Sequence, residues 1–224
     1  MPVLTTKRRI LTFSGLGLAG AALVGMATIP SAMAEERPID PADAPGIMDR
    51  PWPEYPNDTD QHPNIYAGTV ILGAEYNSDG IPYWQDDPTD TYSEDLASAV
   101  EYYQLEEGLG EHGEMKEEFW GHLDSLQFDT SVETPDWGPR VGPDFYTNGD
   151  SGAGVEALQY LLFTQGYFDK EDDVDGQYGG DTTAAVKEFQ RDHVCEEVED
   201  EAAAQQCDDG LVGTVTWRAL VATG

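Results

Sequence analysis

An ordered set of residues in the last third of this chain occurs a second time, in weaker form, nearer its middle. Residues 152–220 carry Val155, Leu158, Gln159, Leu162, Gly166 and Tyr167, then Tyr178, Thr182, Ala185, Val186, Phe189 and Gln190, then Gly210, Val212, Gly213, Trp217 and Leu220. A shift of 86 lays Gly68, Leu72, Gly80, Tyr92, Asp95, Ala99, Val100, Tyr103 and Gln104 onto Gly154, Leu158, Gly166, Tyr178, Asp181, Ala185, Val186, Phe189 and Gln190. The register then jumps by 11, and Gly113, Met115, Trp120 and Leu123 fall on Gly210, Val212, Trp217 and Leu220. One copy therefore has an insertion between its second and third segments. An internal repeat of this size dictates two small modules in tandem, because each segment can bury its apolar stripe only against the others of its own set. Duplicated small modules favour binding over catalysis.

The segments read as helices. In the later copy Asp150 or Ser151 can cap a helix with Val155, Leu158, Leu161 and Leu162 at helical spacing, and Gly166 follows as a stop. A second helix begins near Asp181, also a candidate cap, with Ala185, Val186 and Phe189 on one face, and a third starts at Gly213 and Thr214. The earlier copy repeats the plan over 65–76, 93–106 and 116–126, with Gly73 in the place of Gln159 and Thr69 in that of Val155. The fold class expected is mainly α: two tandem three-helix bundles joined by Pro- and Gly-rich segments.

Around the modules the chain divides further. Residues 1–34 read as an export signal: Lys7, Arg8 and Arg9 precede an apolar run that ends in Ala32-Met33-Ala34, with a weak twin-arginine character. An uncleaved anchor is the alternative. Residues 35–63 hold seven prolines among acidic residues and read as an extended leader whose Trp52 could dock onto the first module. Residues 64–126 form the weaker copy, 127–148 a linker whose Trp137 and Phe145 are expected to pack in part between the modules, and 149–224 the stronger copy.

The 44 acidic and 11 basic residues give a net charge of −33, which becomes −36 once the signal's three basic residues are removed. Such a surface repels nucleic acid and anionic lipid, so neither is an expected partner, and it favours solubility in a salty or alkaline exterior. Export places Cys195 and Cys207 in an oxidising compartment, where they are expected to pair and close the insertion. With only His193 nearby they fall short of a metal site. The acidic turn Glu171-Asp172-Asp173-Val174-Asp175-Gly176 resembles half of a calcium loop but has Thr182 where a bidentate carboxylate would be needed. No metal and no cofactor are expected.

The later copy resembles the bacterial peptidoglycan-binding domain, a three-helix module attached to many cell-wall hydrolases. The likeness rests on Gly149-Asp150-Ser151-Gly152, Val155-x-x-Leu158-Gln159-x-x-Leu162, Gly166-Tyr167, Asp175-Gly176-x-Tyr178-Gly179, Thr182-x-x-Ala185-Val186-x-x-Phe189-Gln190 and Asp209-Gly210-x-Val212-Gly213-x-x-Thr216-Trp217-x-x-Leu220. The insertion between Cys195 and Asp208 departs from the family's shorter link. Peptidoglycan or the cell wall is the partner that the resemblance implies.

Leu158, Leu162, Val186, Phe189, Leu220, Trp120 and Trp217 are expected in the core, while Gln104 and Gln190 tie loop backbone. Candidate ligand residues are Tyr167, Phe168 and Tyr178 for stacking on sugar faces, with Asp150, Gln159, Asp181 and Arg191 as polar partners. His62, His112, His122 and His193 are scattered, with no ligand or triad spacing, and no segment remains for a catalytic domain. The expectation is a secreted, non-enzymatic wall-binding protein. A secreted protein-interaction or inhibitor protein on the same scaffold is the alternative, and a small wall hydrolase a third reading.

Overall fold

The structure is a computed structural model that describes residues 37–56, 61–110, 112–142, 144–170 and 173–223. The expected export signal lies outside the described residues, as do Glu171 and Asp172 of the acidic turn. From Glu36 to Gly224 the chain forms a single compact unit. It is helical, and its extended stretches make only isolated bridges among the described residues.

A 3-10 turn (Pro41–Asp43) leads into a one-turn helix α1 (Pro45–Met48). The earlier half then contributes α2 (Pro63–Ala74), α3 (Glu94–Glu107) and α4 (Glu117–Phe128). The later half contributes α5 (Ala153–Thr164), α6 (Gly180–His193) and α8 (Thr214–Thr223), with the short α7 (Glu201–Ala204) inside the insertion. Local chemistry accounts for the ends of α3: Ser93 Oγ accepts the Leu96 amide, Glu94 and Asp95 sit in the positive first turn, and Gly108 closes the helix with φ 74°. Leu96, Val100 and Tyr103 then point inward at helical spacing.

Two expected caps are replaced. Gly152 and Gly179 occupy the N-cap positions of α5 and α6, and neither supplies a side chain. Asp150 instead turns its carboxylate to the amides of Arg140, Val141 and Thr147, at 2.7, 2.7 and 2.9 Å. Asp181 is the second residue of α6, in its first turn, where its charge faces the positive end of the helix dipole.

The halves repeat one set of joints. Gln104 Oε1 accepts the Gly113 amide and its Nε2 donates to the Glu114 carbonyl; Gln190 does the same with Gly210 and Leu211. The Tyr92 hydroxyl donates to the Gly113 carbonyl, as the Tyr178 hydroxyl does to that of Gly210. Tyr55 bridges Met115 where Tyr146 bridges Val212, and Gln61 bridges Thr91 where Ser151 bridges Gln177. This last pair corrects the register of the first helices. Gln61 corresponds to Ser151, a shift of 90, so Thr69 rather than Gly73 stands in the place of Gln159, and Ile65 rather than Thr69 in that of Val155. The four extra residues of the earlier half fall between α2 and α3, in a small hairpin in which Tyr76 bridges Pro82.

The leader is packed rather than extended, with Trp52 docked as expected, and the linker packs through Trp137 as expected, with Tyr146 rather than Phe145 beside it. Ile39, Ala44, Ile47, Trp52 and Tyr55 of the leader are buried, as are Trp137 and Tyr146 of the linker. Each large side chain so removed from water contributes roughly 1.5–3 kcal/mol, which offsets the ordering of an otherwise proline-rich segment. Trp52 stacks under the Arg218 guanidinium at 3.7 Å. The leader also touches the insertion, since Glu199 donates its amide to the Asp43 carbonyl at 2.8 Å and Glu197 pairs with Arg50 at 3.3 Å. Cys195 and Cys207 are joined in a disulfide that closes this insertion.

Helices α2 and α5 pack antiparallel. The Tyr66 and Tyr160 rings stack with centroids 3.7 Å apart, Pro63 lies beside Thr164 and Gln165, and Gly73 and Ala74 lie beside Ala153. Asn64 Nδ2 donates to the Val221 carbonyl at 2.8 Å, Trp137 Nε1 donates to the Glu75 carboxylate, and the Tyr146 hydroxyl donates to Gln127 at 3.0 Å. Asp124 of α4 is buried against Thr214 and Arg218 of α8, and that burial raises its pKa to about 7.

Candidate functional site

Four of the seven predicted ligand residues belong to the scaffold. Gln159 is fully buried: its Oε1 accepts the amides of Asp175 and Gly176, and its Nε2 reaches Asp175 Oδ1, the Gln177 carbonyl and Thr182 Oγ1. It fastens the turn between α5 and α6, where Gly176 has φ 68°, a conformation that glycine tolerates best. Asp150 is 2% exposed and fully engaged by backbone amides. Tyr178, also 2% exposed, keeps its hydroxyl on Gly210, so it has no face to offer a sugar, and Phe168 is buried. Phe168 and Tyr178 do lie beside loops, as the sequence pattern placed them, but a side chain that holds a loop from below is removed from solvent.

The other three reach the surface. Tyr167 is partly buried, with its ring edge against Phe189 at 5.5 Å and its hydroxyl donating to Asp192 at 3.2 Å. Desolvation, helped by the Asp192 carboxylate, pushes its pKa up to about 12, so it remains a neutral donor. Arg191 is exposed and pairs with Asp208 of the insertion at 3.1 Å. Asp181 is exposed at the opposite end of α6. With ten residues between them at roughly 1.5 Å of rise each, Asp181 and Arg191 cannot grip the same small group.

What the fold gathers is the carboxyl end of α6. Tyr167, Asp192 and His193 cluster there, with His193 stacked on Phe189 at 4.9 Å, while Arg191 turns to Asp208 of the insertion. Beside them a cleft of about 370 Å³ is lined by Pro63, Thr164, Gln165, His193 and Thr223. Gln165 is oriented by its Nε2 bond to the Leu220 carbonyl at 3.1 Å and by the Thr223 hydroxyl at 3.0 Å. The cleft thus combines a ring, an amide, hydroxyls and an imidazole, a set suited to sugar hydroxyls and peptide amides. Gln165, Asp192, His193 and Thr223 escaped the sequence reading. They share no motif, and only the meeting of three helix ends brings them together.

The geometry of the later half is that of three helices whose loops are tied by Gln159 and Gln190. Residues 151–196 match the family model described as "Putative peptidoglycan binding domain". No curated protein and no solved structure matches the chain. The match covers α5 and α6 and ends at the start of the disulfide-closed insertion. Helix α8 lies beyond the match, and Gln190 ties it to α6 through Thr216 and through the Leu211 carbonyl just before it.

The acidic turn of the peptidoglycan-binding domain is held by hydrogen bonds: Asp175 Oδ1 accepts from Gln159 and from the Gln177 amide. Among the described residues no cluster of three His, Cys, Asp or Glu side chains has metal-binding geometry. No helix among them is long and apolar enough to cross a membrane.

Proposed function

We propose that the protein is a secreted, non-catalytic wall-binding protein that attaches to peptidoglycan through its later half. The observation that carries this reading is the family match over residues 151–196, on a module whose α6 end presents His193, with Tyr167 against it, at the cleft. The disulfide fits an oxidising exterior. The non-catalytic part of the reading is supported by the positions of groups that might otherwise react. The two cysteines bond to each other, His62 Nδ1 accepts the Asn64 amide at the start of α2, and His122 lies 3.5 Å from Glu107. Because the halves share the α2 and α5 interface, a second wall contact on the earlier half would sit at a fixed spacing rather than on a flexible tether.

Purified insoluble peptidoglycan, incubated with the protein and sedimented, tests the reading. Retention with no release of soluble wall fragments is expected. Release of fragments would make the protein a hydrolase. The net charge of −33 favours one competing reading, capture of a basic secreted protein, and retention that needs such a protein and disappears in high salt would establish it instead.

A further inference from the structure

Six large apolar side chains among the described residues are exposed, and four of them, Tyr76, Ile81, Tyr102 and Leu105, belong to the hairpin and α3 of the earlier half. Tyr76 and Ile81 come from the hairpin lengthened by the four extra residues, and Tyr102 and Leu105 from one stripe of α3. Glu106 joins the two elements: its carboxylate accepts the Ser78 amide and hydroxyl at 3.2 and 3.0 Å and the hydroxyls of Tyr83 and Tyr102 at 2.9 and 3.2 Å. The Tyr102 ring is therefore pinned at its hydroxyl while 41% exposed, and it rests against Tyr83 with centroids 5.7 Å apart. A depression of about 390 Å³ lies between Tyr76, Tyr83 and the carboxylates of Glu106 and Glu107.

The later half lacks this surface. It keeps the pair beneath it, Tyr167 donating to Asp192 as Tyr83 donates to Glu106, but has Glu188 and Arg191 where α3 has Tyr102 and Leu105. Exposed aromatic rings held in place, on a chain otherwise covered with carboxylates, call for a ligand with flat apolar faces and hydrogen-bond donors and no negative charge. A strand of N-acetylated amino sugars has these properties. The CH face of a pyranose covers a tyrosine ring, an acetamide methyl meets Ile81 or Leu105, and hydroxyl and amide N–H groups donate to Glu107, while Glu106, its acceptor sites filled, holds the rings in place.

We propose that Tyr76 and Tyr102, with Ile81, Leu105 and Glu106, form a second binding surface that takes the glycan strand of the wall. The inference rests on the wall-binding reading above and names a different half of the molecule and the sugar rather than the peptide part of the polymer.

The test uses the full chain and two preparations, whole peptidoglycan and glycan strands stripped of their stem peptides with the freed lactyl carboxyls amidated to keep them uncharged, with soluble N-acetylglucosamine oligomers followed by calorimetry. The native protein should bind the stripped strands and the oligomers. Tyr76→Ala combined with Tyr102→Ala should weaken both at least tenfold with an unchanged melting temperature, since both rings are exposed. Tyr102→Glu with Leu105→Arg, which copies the residues of the later half, should do the same and guards against a folding artefact. Equal binding by native and variant proteins overturns the inference, as does binding of free stem peptides but not of stripped strands. Unchanged binding of stripped strands and oligomers by both variants, with retention on whole peptidoglycan through the later half, overturns it while leaving the wall-binding reading standing; failure of the native protein to bind whole peptidoglycan overturns both.

Discussion

Thr69 does in the earlier half what Gln159 does in the later. Its hydroxyl accepts the Thr89 amide at 3.0 Å and donates to the Thr89 carbonyl at 3.2 Å, while the longer Gln159 amide ties Asp175, Gly176 and Gln177. Both hold the link between first and second helix onto the first helix. The Gln159→Leu substitution should leave the Asp175 and Gly176 amides without partners and cost about 2–4 kcal/mol, whereas Thr69→Val should cost about 1–2 kcal/mol. Denaturant melts of the two variants check the order.

The first-helix register was illegible in the sequence for a definite reason. The sequence shift of 86 and the observed 90 differ by four residues, close to one helical turn, so apolar positions coincide under either alignment. Leu72 meets an apolar residue both ways, Leu158 or Leu162. The second and third helices were legible because Tyr92, Gln104, Gly113 and Trp120 have side-chain or backbone roles that a shifted register cannot reproduce. The leader misled because Ile39, Ile47, Trp52 and Tyr55 have no periodicity, and only the finished surface shows where they dock. The candidate site was legible in part: Tyr167 and Arg191 reach the surface, but polar residues with family spacing, Asp150 and Gln159, proved to be the ties that shape the loops.

Asp124 should make stability depend on pH. Its folded pKa, about 7, lies above the ordinary carboxylate value because burial outweighs the attraction of Arg218 and the Thr214 hydrogen bond. The folded state therefore holds the proton more tightly than the unfolded one, so this contribution is present below about pH 4 and is lost as pH rises towards 7. Asp124→Asn should remove the decline and leave the protein up to about 4 kcal/mol more stable than the native chain at pH 8. Melts at pH 4 and pH 8 measure the difference.

The disulfide closes the insertion, and the insertion holds the leader through Glu199 and Asp43. Replacing Cys195 and Cys207 with serine should cost about 3 kcal/mol and open the leader to protease before the helices are cut. Timed proteolysis with mapped cleavage sites decides this; first cuts within α5 or α6 would show that the insertion does not hold the leader.

The stacked pair Tyr66 and Tyr160 ties the two halves. Single alanine substitutions should each destabilise the whole unit in one transition, and the double-mutant cycle should return a coupling of about 1 kcal/mol. Two separate transitions in any single variant would mean that the halves fold independently.

The central claim is attachment to the wall by the later half, and sedimentation with purified insoluble peptidoglycan at low and high salt tests it most directly. The native protein should be retained at both, because the cleft beside α6 works through hydroxyls, an amide and a ring rather than through long-range charge. Tyr167→Ala should be retained less at a temperature well below its melting point, which falls because the ring packs on Phe189. Absence of the native protein from the pellet at every salt concentration would contradict the account.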